Sequence, residues 1–389
     1  MKYKYVVCVP DGAADEPLEE LGGRTPLEAA HLPTFAALAR RAEVGRAATI
    51  PEGFPPGSDV GNMSILGYDP AIYHTGRAPI EAAAMGLQLD DDQVAYRCNL
   101  VTVGAGGTMD DFAGGHPSTE AARPVLEALQ QELGGAGVEF HAGVQYRHIL
   151  VTPADWAGAD CTPPHDLTGK PAVWPTGPAA PKLRELMDAS REVLVRFADT
   201  VAANSIWLWG QGRRPRLPSF KDTYGLQAGM VSAVDLVRGL GALTGIRRAD
   251  VAGITGWYDT DYEAKRDACL KSLADGDDLF LIHVEASDEA GHAGNVAEKV
   301  KALENWDRRI LRPLVDALDM DDFRPWRLLL LPDHATPLAL RTHTSDSVPY
   351  MLVDSEVDGA GGVYTEAATA QCAPVPGHTL MNHLVTQGP

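Results

Sequence analysis

The segment Ser287-Asp288-Glu289-Ala290-Gly291-His292 follows directly on the apolar run Leu279-Phe280-Leu281-Ile282-His283-Val284. Asp288 and His292 are four apart, so one turn of helix sets a carboxylate and an imidazole on the same face. Oxygen and nitrogen ligands so placed suit manganese or zinc. Asp333 and His334 are adjacent, just past Leu328-Leu329-Leu330-Leu331-Pro332, and His343 lies nine residues further on. Asp11 follows a first apolar segment at Pro10-Asp11-Gly12. Taken singly, each has an ordinary structural reading: a helix-start Asp with a surface His, an Asp capping the next helix, a polar loop His, an Asp-Gly turn. Taken together they supply the six or more protein ligands that two metal ions need.

Ser58 ends a Gly/Pro-rich loop in Pro55-Pro56-Gly57-Ser58-Asp59-Val60-Gly61-Asn62. A serine hydroxyl is a weak nucleophile until its proton is removed. One metal ion could stabilise its alkoxide while a second holds phosphate oxygens in an in-line transfer. Gly57 would let a phosphate approach closely, and a following helix N-terminus would add N–H donors. The alternative is that Ser58 is a helix N-cap.

Apolar strands must position these groups. Residues 5–9, 279–284, 328–331 and 350–353 read as buried strands, and 32–41 and 296–317 as helices. The alternation predicts an α/β fold, a mostly parallel sheet sandwiched by helices, with polar residues just beyond the strand ends. Between about 90 and 191 the texture changes to short strands (94–103, 147–151), one helix (120–133) and a Pro/Gly-rich stretch over 162–181. The expected organisation is a catalytic domain of residues 1–85 and 190–389 with an inserted smaller α+β domain over 86–189.

Bulk properties exclude several functions. The chain of 389 residues carries a formal net charge of −20, which argues against a nucleic-acid partner. An anionic substrate would therefore need local positive charge, from metal ions or clustered arginines. No apolar run approaches the length of a membrane span. The five cysteines are scattered without CxxC spacing, which suggests reduced thiols and a cytoplasmic protein. No GxxxxGK[ST] phosphate loop and no GxGxxG after a strand is present.

These motifs resemble the cofactor-independent phosphoglycerate mutases of the archaeal type, in the alkaline phosphatase superfamily. The resemblance spans nearly the whole chain. It rests on Pro10-Asp11-Gly12, Gly57-Ser58-Asp59 with Ile65-Leu66-Gly67-Tyr68-Asp69-Pro70, Arg97-Cys98-Asn99-Leu100-Val101, Tyr146-Arg147-His148, Asp288-Glu289-Ala290-Gly291-His292 and Asp333-His334. It implies two divalent metal ions (manganese, zinc, cobalt or magnesium), one held by Asp288, His292 and His343, the other by Asp11, Ser58, Asp333 and His334. It also implies a phosphoserine at Ser58, interconversion of 3- and 2-phosphoglycerate in glycolysis, and a cap domain that holds the glycerate. His116 and Arg147 resemble the cap's substrate contacts; Arg213, Arg214 and Lys221 answer the need for positive charge, and Asp166 is the expected proton handler on the glycerate hydroxyls. Archaeal members commonly carry a histidine shortly after the nucleophile, where this chain has Asn62. In this it resembles a bacterial branch labelled proposed homoserine kinase, so a homoserine kinase, or another phosphotransferase or phosphatase on the same scaffold, is the alternative.

Overall fold

The computed structural model describes residues 2–320 and 322–386, and the chain divides into two compact units, Met1–His74 with Leu217–Pro389, and Thr75–Arg216. In chain order the strands are β1 (Lys4–Pro10), β2 (Glu43–Ala48), β3 (Gln93–Val103), β4 (Met109–Asp111), β5 (Glu139–Val144), β6 (Arg147–Pro153), β7 (Ser205–Gly212), β8 (Ala228–Val231), β9 (Arg247–Arg248), β10 (Leu279–Val284), β11 (Trp326–Leu330), β12 (Val348–Asp354) and β13 (Val375–Pro376).

The first unit is built on a sheet ordered β13-β2-β12-β11-β1-β10-β8-β9. β1 pairs in parallel with β10 and β11, and β10 in parallel with β8. β12 runs antiparallel to both β11 and β2. The apolar runs of β10 and β11 are buried throughout, and β1 is buried beyond its first residue. Such strands are covered on both faces, which is why they read as continuous hydrophobic runs rather than alternating ones. Val6, Cys8, Phe280, Ile282, Leu328 and Leu330 form one core with helical residues such as Tyr262, Leu303 and Trp306. Because β1, β10 and β11 are parallel, their C-terminal ends open on one edge of the sheet, where Asp11, Asp288 and Asp333 follow.

The expected single helix over 296–317 is three pieces: an α-helix Val296–Asn305, a π-helical stretch Trp306–Leu311 and an α-helix Arg312–Leu318. The wider turn buries Trp306, Asp307, Ile310 and Leu311 together. Asp307 then accepts hydrogen bonds from the backbone N–H groups of Thr34 and Phe35 at 2.8 and 2.9 Å, where the helix Pro33–Ala39 begins. A helix start that lacks a capping side chain of its own is satisfied from a distant element.

The second unit is an antiparallel sheet, β4-β3-β6-β5, with β7 also paired to β3. The helices Thr119–Leu133 and Ala180–Leu194 pack on it through Val125, Leu129, Leu183 and Met187. This compact unit, residues 75–216, is wider than the 86–189 expected for the insertion. At its start, Ala78 and Ala82 of the helix Arg77–Ala84 pack on Ala95, Ile149 and Val151. At its end, β7 is held by its pairing with β3. Small alanine contacts and strand pairing leave little trace in hydrophobic pattern.

Candidate active site

Backbone pairing beyond the strand ends gathers the site of the first unit. Asp11 N–H donates to Val284 O at 3.0 Å, and Leu331 N–H to Cys8 O at 3.1 Å. Ala335 bridges to Ala13 on one side and to Thr344 on the other, which sets His334 and His343 alongside residues 11–14. The helix Ser58–Ile65 approaches from the other chain segment, and it does so at Gly61: a Cβ there would fall 2.3 Å from the carbonyl oxygen of Asp333. Gly57, not Ser58, occupies the N-cap position, and Ser58 Oγ lies 3.2 Å from His334 Nε2. Ser58 is thus no capping residue, and its hydroxyl is turned toward the ligand cluster.

All six candidate ligands converge with Ser58. Ligand atoms of Asp11, Asp333 and His334 lie within 4.8 Å of one another, as do those of Asp288, His334 and His343. His292 Nε2 is 3.2 Å from Asp288 Oδ2, and His343 Nε2 is 3.4 Å from Asp288 Oδ1. Three imidazoles share one orientation. His292 Nδ1 faces Arg341 O, His343 Nδ1 faces Pro56 O and His334 Nδ1 faces Thr336 Oγ1, so each Nε2 points inward. In the neutral ring, with Nδ1–H donated to a carbonyl, the inward nitrogen of His292 or His343 carries the lone pair that a cation would take. Lone pairs and carboxylates converging on one small volume fit divalent cations bound by oxygen and nitrogen.

The protonation pattern shows the same shortage of positive charge. Burial, with Asp333 and Asp288 nearby, pushes the Asp11 carboxyl well up. Burial would raise Asp333 too, but His334 and His283 hold it below the usual carboxylate range. Asp288 is likewise held well below that range, burial being outweighed by His292 and His343. His292 is pushed up to about 9, its burial offset by Asp288, whereas burial takes His334 down to about 4. Protons here occupy positions that cations would compete for.

Several residues of this site escaped the sequence reading. Thr336 Oγ1 donates to Asp288 Oδ1 at 2.5 Å. Asn62, noted only as a departure from the family pattern, donates from Nδ2 to Ser58 O at 2.9 Å and to Asp333 Oδ2 at 2.7 Å. His283 lies fully buried, 3.4 Å from Asp11 Oδ2. A histidine inside the run Leu279-Phe280-Leu281-Ile282-His283-Val284 was the signal that could have found it.

The remaining candidates are spread over both units. In the second unit, the exposed His116 and Arg147 both border Tyr146, ring to ring at 5.4 Å and guanidinium to ring at 5.5 Å. Phe112 links this pair to His165, which packs on Trp209. Arg97, buried and paired with Glu81 at 2.8 Å, covers Trp209 at 4.2 Å. Asp166 sits beside His165 on the turn Pro164–Leu167, with its side chain 61% exposed. Arg213 and Arg214 are exposed in the second unit, Arg213 donating to Asp91 O, while Lys221 is exposed on the helix Phe220–Tyr224 of the first.

Among the described residues no helix is long and apolar enough to cross a membrane. The family model of 2,3-bisphosphoglycerate-independent phosphoglycerate mutase matches residues 39–197. A protein of Geobacter sulfurreducens named probable 2,3-bisphosphoglycerate-independent phosphoglycerate mutase is 46% identical over 92% of this chain and 93% of its own length. The Methanosarcina acetivorans protein named 2,3-bisphosphoglycerate-independent phosphoglycerate mutase is 44% identical over 92% and 93%. Among solved structures, a Pyrococcus horikoshii protein superposes with a TM-score of 0.81 at 26% identity, covering 99% of this chain and 97% of that one. The cofactor-independent phosphoglycerate mutase of Thermoplasma acidophilum shares the fold, with a TM-score of 0.65, 23% identity and 99% coverage of both chains. By these likenesses the chain belongs to the 2,3-bisphosphoglycerate-independent phosphoglycerate mutase family.

Proposed function

We propose that this chain interconverts 3-phosphoglycerate and 2-phosphoglycerate, with Ser58 as nucleophile and temporary carrier of the phosphoryl group. The observation that carries the reading is the placement of Ser58 Oγ, 3.2 Å from His334 Nε2 and turned into a cluster of three carboxylates and three imidazoles. Asp288, His292 and His343 would hold one divalent cation, and Asp11, Ser58, Asp333 and His334 a second. When bound, such cations lower the pKa of a hydroxyl and offset the negative charge of a transferring phosphoryl group.

The chain's own residues do the rest. Ser58 Oγ gives up its proton and bonds to phosphorus as the bond from phosphorus to the glycerate O3 breaks, and O3 takes up a proton. The glycerate turns, O2 loses its proton and bonds to phosphorus as the phosphorus–Oγ bond breaks, and Oγ takes a proton back. Asn62 holds the Ser58 carbonyl and the Asp333 carboxylate in fixed relation throughout. His116 and Arg147, beside Tyr146, would bind the substrate's anionic groups, with Arg213, Arg214 and Lys221 adding positive charge. Asp166 would exchange protons with the glycerate hydroxyls.

Phosphorus NMR of the purified protein with manganese and 3-phosphoglycerate tests this reading. The 2-phosphoglycerate signal should appear without added 2,3-bisphosphoglycerate. If that signal fails to appear while homoserine and ATP yield phosphohomoserine, the chain is a kinase on this scaffold.

A further inference from the structure

His283 breaks the apolar run of β10 and is completely enclosed. Its Nε2 lies 3.4 Å from Asp11 Oδ2 and 3.9 Å from Asp333 Oδ2, and among the described residues no hydrogen bond reaches it. The opposite ring edge is anchored: Nδ1 is 3.3 Å from Glu285 Oε1 and 3.3 Å from Ser232 Oγ. Glu285 is itself clamped, accepting from Ala233 N–H at 2.8 Å and from Lys265 Nζ at 2.6 Å. Lys265 also donates to the His283 carbonyl at 2.9 Å. The side chains of Lys265 and Glu285 are 0% and 3% exposed, so water satisfies none of these groups and the protein must.

The Asp11 carboxylate is divided between two surroundings. Oδ1 lies 3.6 Å from His334 Nε2 and has no hydrogen-bond partner among the described residues, whereas Oδ2 faces His283. His283 stands between two acidic groups, its Nδ1 edge against Glu285 Oε1 and its Nε2 edge against Asp11 Oδ2 and Asp333 Oδ2, so its ring position sets how the Asp11 carboxylate can lie. Carboxylates that bind metals are held in turn by hydrogen bonds, and loss of such partners weakens metal binding without removing a ligand.

We propose that His283 is a positioning residue for the Asp11/Asp333 cation site. Its Nε2 edge orients Asp11 Oδ2, which leaves Oδ1 to the cation, and the buried Glu285–Lys265 pair fixes the imidazole ring. This inference rests on the reading that Asp11 and Asp333 hold a cation.

The test compares His283→Asn with His283→Gln by calorimetric titration of the metal-stripped full chain with manganese, circular dichroism confirming the fold. The amide of Gln reaches about as far as Nε2 and keeps a donor toward Asp11; that of Asn reaches only as far as Nδ1. His283→Asn should weaken one of two manganese classes by about 10- to 100-fold and leave the other unchanged. His283→Gln should restore most of the loss. Glu285→Gln, which loosens the ring anchor, should weaken the same class and serves if His283→Asn does not fold. Unchanged affinities in a folded His283→Asn, or equal weakening of both classes, would overturn the proposal. A wild-type chain that binds no manganese would overturn the metal reading itself, a result distinguishable from either.

Discussion

The Nε2 atoms of His292 and His343 face each other at 2.9 Å, each ring with its Nδ1 against a backbone carbonyl. Neither ring can turn away without giving up that carbonyl, so the repulsion between them is relieved by a shared proton or a cation. Metal removal should therefore cost stability as well as activity. A ligand at about 100 times its Kd stabilises the folded state by roughly 2.7 kcal/mol. Thermal unfolding with a chelator, then with manganese, cobalt or zinc restored, should show a lower and then a recovered Tm, with activity following. An identical Tm in a verified metal-free sample would count against the two-cation arrangement.

Ser58→Ala should abolish phosphoryl transfer, by at least about 10³-fold, as loss of a covalent nucleophile does elsewhere. Stability should hardly change, because Gly57 provides the helix N-cap position and the Ser58 side chain makes no capping bond. Turnover of 3-phosphoglycerate and denaturant unfolding, measured on one preparation, separate the two effects. Near wild-type turnover would remove Ser58 from the mechanism.

Lys299 and Asp15 form an ion pair at 2.7 Å with both side chains fully buried. Lys299 also donates to Thr336 O at 2.8 Å, and Asp15 accepts from Leu338 N–H, so the pair braces the loop that carries His334 and His343. Lys299→Met leaves the Asp15 carboxylate buried without its charge partner and should cost about 3–5 kcal/mol. Asp15→Asn with Lys299→Met should recover part of that. Urea unfolding of the single and double variants measures the difference, and a single-variant loss below about 1 kcal/mol would show that the carboxylate finds other support.

What was legible in the sequence follows the physics of buried parallel strands. β1, β10 and β11 must be apolar on both faces, so they stand out as runs, and the carboxylates of Asp11, Asp288 and Asp333 follow their ends. The helix expected to follow Gly57 is Ser58–Ile65, but its complete burial, polar Asp59, Asn62 and Ser64 included, leaves no amphipathic period from which its length could be read. His343 reaches the site through the Ala335–Thr344 bridge, and pairing of this kind has no sequence period. His283, Lys265 and Glu285 become a network only once β10 is packed against the helix Tyr262–Ala274. Asn62 shows how far a motif comparison goes: it marks a departure, but only the fold shows the amide between Ser58 O and Asp333. Asn62→Ala should strand buried acceptors and cost about 1–3 kcal/mol in urea unfolding, while a loss below a few tenths would mean the two groups find new partners.

A phosphoserine is as open to attack by water as by the hydroxyl of a bound glycerate, so retention of the glycerate separates a mutase from a phosphatase. On the proposed reading that retention falls to the second unit, where Arg147 lies over the Tyr146 ring and His116 packs against the same ring. Arg147 is exposed, so its removal should leave the unit folded. A guanidinium that pairs with a carboxylate or phosphate of the substrate makes charge-assisted hydrogen bonds, which Ala cannot replace. Arg147→Ala should therefore lower mutase turnover by roughly 10- to 100-fold, the loss of about 1.4–2.7 kcal/mol of binding. The ratio of free phosphate to 2-phosphoglycerate formed from 3-phosphoglycerate should rise at the same time. Phosphorylation of Ser58, which belongs to the first unit, should survive in part and can be followed by mass spectrometry of the quenched protein. Arg147→Lys keeps the charge but not the planar fork, and should fall between wild type and Ala. If Arg147→Ala leaves both turnover and product ratio unchanged, Arg147 does not hold substrate and the role given to the second unit loses its main support.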